Sequence, residues 1–122
     1  MAWEVEFHAA FLPEFRQLAT AVQDEAAAHV ELLRTFGPAL RRPHADTLKG
    51  SRHANMKELR FAVSGGTWRL AYAFDPERRA ILLVAGDKSG GSQSRFYKAL
   101  IRKADARFDE HLADLAKGDF ER

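Results

Sequence analysis

The segment from Met56 to Gly86 constrains the fold more than any other part of the chain. It holds three consecutive strand-like runs. "MKELRFAV" sets Leu59, Phe61 and Val63 on one face and Glu58, Arg60 and Ala62 on the other. "GGTWRLAYAF" sets Trp68, Leu70, Tyr72 and Phe74 against Arg69, Ala71 and Ala73. Strict alternation of this kind marks half-buried strands. Ser64-Gly65-Gly66 between them is a hairpin signal. "DPER" then turns into "RRAILLVAG", which is apolar on both faces, as a central strand should be. Three strands joined by tight turns make an antiparallel meander, and its apolar face needs helices to cover it.

The rest of the chain supplies that cover. "WEVEF" alternates Trp3, Val5 and Phe7 against two glutamates and reads as a further strand. Phe11, Phe15 and Leu18 fall at helical spacing, with Pro13 acceptable in a first turn. Val22, Ala26, Val30 and Leu33 recur every three or four residues from Thr20 to Phe36, and Gly37-Pro38 supply a stop. These two segments predict a helical hairpin. Residues 37–55 show no clean period and read as a loop. After Ser92, Phe96, Leu100, Ala104, Phe108, Leu112 and Leu115 form one stripe of a long helix ending near Gly118. The expected fold is α+β, a single domain over residues 1–122. A helical hairpin packs on a mainly antiparallel four-stranded sheet, with a long C-terminal helix.

Charge is segregated along the chain. Residues 1–40 carry two Lys/Arg and six Asp/Glu, residues 41–103 carry fourteen and five, and residues 104–122 carry three and six. A basic middle between acidic ends suits a polyanion such as nucleic acid, although the same surplus can be spread over a solvated surface. The cations at issue are Arg41, Arg42, Lys49 and Arg52 in the loop, and Arg95 and Lys98 at the start of the last helix. There is no cysteine, hence no disulfide and no thiolate metal site. "MAWEVEF" carries no basic region or long apolar stretch, so no signal peptide is read, and no run is long enough for a membrane-spanning helix. The default location is the cytoplasm.

Chemistry is expected where cations converge. The hairpin places Arg60 and Arg69 on neighbouring strands, on the sheet face away from the large apolar residues. Two guanidiniums on one exposed face can clamp a phosphate. They can equally be ordinary solvent-facing arginines, and Glu58 can neutralise Arg60. Lys57 falls on the core side by alternation, at a strand end. Lys88 follows the central strand in "GDKSGGSQSRFYK", where glycines and a helix start can present N–H groups to an anion. Tyr97 offers a phenol, or simply packs beside Phe96. Asp87 is an ion-pair partner for Lys88 or a base. His111 is a packed or a catalytic histidine. No metal-ligand spacing and no cofactor motif is present.

"LKGSRHANMKELRF", "WRLAYAF", "ILLVAGDKSG" and "FYKALIRKADARFDEHL", in this order, resemble the RelE/ParE toxin superfamily, and within it the phage-derived HigB-like branch. The likeness runs from about Trp3 to Leu115. It implies a toxin of a type II toxin–antitoxin pair, neutralised by an antitoxin that in the HigB type carries a helix-turn-helix. RelE- and HigB-like members cut mRNA on the ribosome without a metal, whereas ParE-like members inhibit DNA gyrase without catalysis. A degenerate member would only bind its antitoxin. By this resemblance Arg60 and Arg69 take the scissile phosphate, and Lys57 and Lys88 match basic positions before and after the meander, one of them to assist the phosphate or to act in proton transfer. The family's acid–base positions have no clear counterpart, so Tyr97, Asp87 and His111 enter by residue type.

Overall fold

The computed structural model describes residues 2–121. Strand β1 (Glu4–Phe7) leads into a short helix α1 (Phe11–Arg16) and a longer one, α2 (Thr20–Phe36), closed by a 3-10 turn over Gly37–Ala39. Strands β2 (Ala45–Thr47), β3 (Met56–Val63), β4 (Gly66–Phe74) and β5 (Arg79–Asp87) follow, and α3 (Gln93–Glu121) ends the chain. One sheet holds all five strands in the order β1-β5-β4-β3-β2. Among the described residues only the β1–β5 pair is parallel. Among the described residues no helix is long and apolar enough to cross a membrane.

The α+β expectation stands, with one strand more than the four expected. The addition is β2, within the stretch 37–55 that reads as a loop, and its three residues pair with Lys57 to Leu59 of β3. Three residues are too few to display a period, so the pairing was invisible in the pattern. The last helix also runs beyond Gly118 to Glu121.

Alternation along β4 builds the layers. Leu70 and Tyr72 face α1 and α2, in a core with Phe11, Val22, Ala26, Leu33, Leu59, Phe61 and Leu82. Ala71 and Ala73 point the other way and lie under α3, beside Met56, Ile81, Leu83, Leu100, Ala104 and Phe108. The face expected to be exposed is therefore roofed by the C-terminal helix. Small residues at its centre let the helix sit close to the strands. A bulge in β5 opposite Ala71 and Tyr72 inserts one residue, so that Leu83 and Val84 both pack on the α3 side.

Polar contacts hold α3 along its second half. Ser51 Oγ and the Arg52 amide donate to Asp105, and Arg52 and His53 reach Asp109. Arg107 bonds the Leu83 carbonyl at 2.8 Å and the Glu14 carboxylate. His8 Nε2 lies 3.0 Å from Glu110, and His111 Nε2 lies 2.8 Å from Asp75. Asp75, 5% exposed, also accepts from the backbone and side chain of Arg79. Burial pushes its carboxyl up, but the hydrogen bonds from His111 and Arg79 outweigh that and hold it below the usual carboxylate range.

Gly37 ends α2 with φ +53°, a region that side chains disfavour, and donates its amide to Leu33. A Cβ there would land inside the Trp3 indole. Gly37→Ala is expected to cost about 2–3 kcal/mol, from strain and overlap together, measurable by urea unfolding. For Asp75 the folded pKa lies below the unfolded one. Its contribution is thus complete above about pH 4 and is lost as pH falls through the folded value. Asp75→Asn should cost about 2 kcal/mol at neutral pH and flatten the fall in Tm below about pH 4, as followed by circular dichroism.

Candidate active site

The site grows out of the β3–β4 hairpin. Ser64 and Gly65 both take positive φ, 47° and 83°, so the two-residue turn matches the twist of its strands and fixes their register. That register sets Arg60 directly opposite Arg69, and Glu58 opposite Ala71. The alanine is small, and Tyr97 of α3 packs against the cluster to which it belongs.

Four side chains meet there. Arg60 Nη1 donates to Glu58 Oε2 at 2.8 Å. The Tyr97 hydroxyl donates to Glu58 Oε1 at 3.0 Å and accepts from Arg69 Nε at 3.2 Å. Arg69 Nη1 also donates to the Trp68 carbonyl at 2.9 Å, and its Nε lies 3.8 Å from Glu58. Glu58 is 3% exposed and Arg69 5%, so this is a buried network with one open side, at Arg60. Removal from water pushes the Tyr97 phenol above its ordinary range. The Arg69 bond opposes the rise, and the Glu58 carboxylate adds to it.

The open side is a cleft of about 250 Å³. Arg42, Asp46, Thr47, Leu48 and Lys49 line it from the β2 region, Glu58 and Arg60 from β3, and Lys88, Gln93 and Tyr97 from the far side. Four cations and two carboxylates line it, and Arg69 lies beneath. The cleft therefore favours an anion. Arg42 is held by Asp46 at 2.9 Å, whose carboxyl is kept low by that bond and by the Thr47 amide. Lys88 extends the β4–β5 ladder through its amide to the Thr67 carbonyl at 2.8 Å, which fixes its backbone at the cleft wall.

Other residues singled out in the sequence lie elsewhere. Lys57 alternates onto the α2 side of the sheet, across from Tyr72 and away from the cleft. Asp87 closes a turn: its Oδ1 accepts from the Ser89 hydroxyl and from the Ser89 and Thr67 amides, and these bonds, the hydroxyl first, lower its pKa. His111 is bound to Asp75 and stacks on Phe108. Arg52 is drawn onto α3 by Asp105 and Asp109. Arg41, Arg95 and Lys98 are exposed and do not line the cleft.

Residues 13–109 match the family described as phage-derived protein Gp49-like (DUF891). The chain belongs to that family. The Gp49-like region takes in every residue that lines the cleft. The chain is 49% identical over 87 residues to the putative toxin HigB2 of Mycobacterium tuberculosis (strain ATCC 25618 / H37Rv), a match covering 70% of this chain and 43% of that relative. It is 42% identical over 106 residues to the putative toxin HigB3 of the same organism, covering 84% and 90%. The Gp49-like chain thus spans less than half of the first relative and most of the second. Its fold is similar to that of a double mutant of E. coli toxin RelE in the free state, with a TM-score of 0.61 at 17% identity over 84% of this chain and 97% of that one.

Glu58 is the member of the site that sequence reasoning treated only as a counter-ion to Arg60. The alternation of β3 already placed it on the arginine face. What the pattern lacked was that α3 would cover this face and bring a phenol onto the same carboxylate. Removing that carboxylate strands two cations, one of them buried. Glu58→Ala is expected to destabilise the protein by about 3 kcal/mol, against about 1 kcal/mol for Tyr97→Phe, by chemical denaturation.

Proposed function

We infer that this protein is the toxin of a type II toxin–antitoxin pair and cleaves mRNA on the ribosome without a metal ion. One observation carries the reading. Arg60 and Arg69 stand side by side in register, with the Tyr97 hydroxyl against one of them, at the floor of a cationic cleft. The names of the two mycobacterial relatives and the RelE-like fold support it. The location consistent with such a target is the cytoplasm, and the partners are a cognate antitoxin, of helix-turn-helix type in HigB-like pairs, together with the ribosome and mRNA.

In such a reaction the 2′-hydroxyl attacks the adjacent phosphorus, and negative charge builds on the non-bridging oxygens. Arg60 and Lys88 reach the open cleft and are assigned to that charge, with Arg69 supporting from below. Preorganised cations of this kind supply the largest share of such catalysis. Tyr97 lines the same cleft and is assigned as proton donor to the leaving 5′-oxygen. A phenol whose pKa is raised keeps its proton until the leaving group demands it. Arg42 and Lys49, on the β2 side of the cleft, are assigned to flanking phosphates.

A second reading has its own observation. Glu58 already neutralises Arg60 and lies close to Arg69, as would suit a member that binds a protein and no longer cuts RNA. Controlled expression with mapping of mRNA 5′ ends separates the two. The expected result is growth arrest with cleavage inside translated codons, reduced about 10²–10³-fold in Arg60→Ala. Arrest with intact mRNA and a DNA-damage response would replace this reading with gyrase inhibition. No arrest at all would leave a chain that only binds its antitoxin.

A further inference from the structure

The Glu58 carboxylate bonds two different groups through its two oxygens. Oε2 faces Arg60, the arginine at the open side of the cleft, and Oε1 holds the Tyr97 proton at 3.0 Å. The geometry points to Glu58 as the general base of the cleavage reaction and to a proton relay from Glu58 through Tyr97 to the leaving group. This inference rests on the nuclease reading above and adds the identity of the base and the route of the proton.

The steps balance within the substrate and these two side chains. Arg60 leaves Glu58 for the scissile phosphate, on whose oxygens negative charge builds during attack, and frees Oε2. The 2′-hydroxyl gives its proton to Oε2 as its oxygen bonds to phosphorus. The phosphorus–O5′ bond breaks, and O5′ takes the phenolic proton of Tyr97. The carboxyl group then turns its protonated oxygen toward Tyr97 and passes that proton to the phenolate. A 2′,3′-cyclic phosphate and a 5′-hydroxyl leave, and both side chains regain their starting states. No metal, water or further reagent enters.

Three features of the site fit this route. Glu58 is 3% exposed yet lines the cleft, so bulk water does not compete for its proton. Arg69 donates to the Tyr97 oxygen at 3.2 Å and so steadies the phenolate while it lasts. Two other acid–base candidates are committed elsewhere, Asp87 to the Ser89 turn and His111 to Asp75.

The test uses ribosomes programmed with an mRNA that carries sulfur in place of the bridging 5′-oxygen at the mapped cleavage position. A thiolate leaves without an acid. Tyr97→Phe should lose about 10²–10⁴-fold on the normal mRNA and recover most of it on the sulfur substrate. Glu58→Gln should be impaired by a similar factor on both, because attack still needs the base. In mixtures of light and heavy water the wild-type rate on normal mRNA should curve with deuterium fraction, as several protons move together. Tyr97→Phe on the sulfur substrate should give a straight line. A Tyr97→Phe defect of equal size on both substrates overturns the relay, as does a Glu58→Gln protein that cuts at the wild-type rate. The Tyr97→Phe comparison decides the acid. Where Glu58→Gln folds poorly, which thermal melting would reveal, Glu58→Asp keeps the charge beside Arg60. It should retain more cutting than Glu58→Gln on both substrates, and equal loss in the two overturns the base. A wild-type protein that cuts neither mRNA overturns the nuclease reading itself, and the relay falls with it.

Discussion

Keeping the Arg69 guanidinium out of water is the constraint around which the site is arranged. A buried cation is tolerated only when it is hydrogen-bonded and has an opposite charge nearby. Here the partners come from three separate parts of the chain: the Trp68 carbonyl in the same strand, Glu58 in the next strand, and Tyr97 on the last helix. Each depends on a feature of its own. The hairpin register brings Glu58 within reach, Ala71 keeps the intervening surface low, and the docking of α3 delivers the phenol. Shifting β3 against β4 by one residue would turn Glu58 to the opposite face and leave the guanidinium with too few partners.

The same helix also reorganises the charge seen along the sequence. Its carboxylates from Asp105 to Glu110 are not a free surface. Asp105 and Asp109 draw in Ser51, Arg52 and His53, and Glu110 pairs with His8. Part of the basic middle of the chain is therefore spent inside the fold, holding the helix down. Another part, Arg42, Lys49, Arg60 and Lys88, lines one cleft, while Arg41, Arg95 and Lys98 stay exposed outside it. A charge count along the chain cannot separate these populations, because the separation depends on which loop residue faces α3.

Much of the fold was legible because alternation and helical spacing report burial directly. The three meander strands, both hairpin helices and the apolar stripe of α3 were read from Leu59, Phe61, Leu70, Tyr72, Val22 and Phe108 and their neighbours. The β2 strand was not, since three residues show no period. Nor was the roofing of the Arg60–Arg69 face, because Ala71 and Ala73 look the same under water or under a helix. That ambiguity hid the role of Glu58 and left Tyr97 uncertain. Lys57 was the opposite case: its alternation pointed away from the arginines, and it lies on that other side of the sheet.

The chain order of the sheet has a consequence for synthesis. Glu4 in β1 pairs with Arg79 in β5, 75 residues further on, and α3 follows later still. Contacts this distant in sequence form late, because a long loop must close before they return any stabilisation. While the chain is still being translated, β1 therefore waits without its neighbour. Tyr97 and the anchoring residues Asp105 to His111 are added after the hairpin. The arginine pair can be aligned by the hairpin well before the phenol arrives to complete it. The order of translation is thus a built-in delay that keeps the site incomplete on a nascent chain until its last helix has emerged.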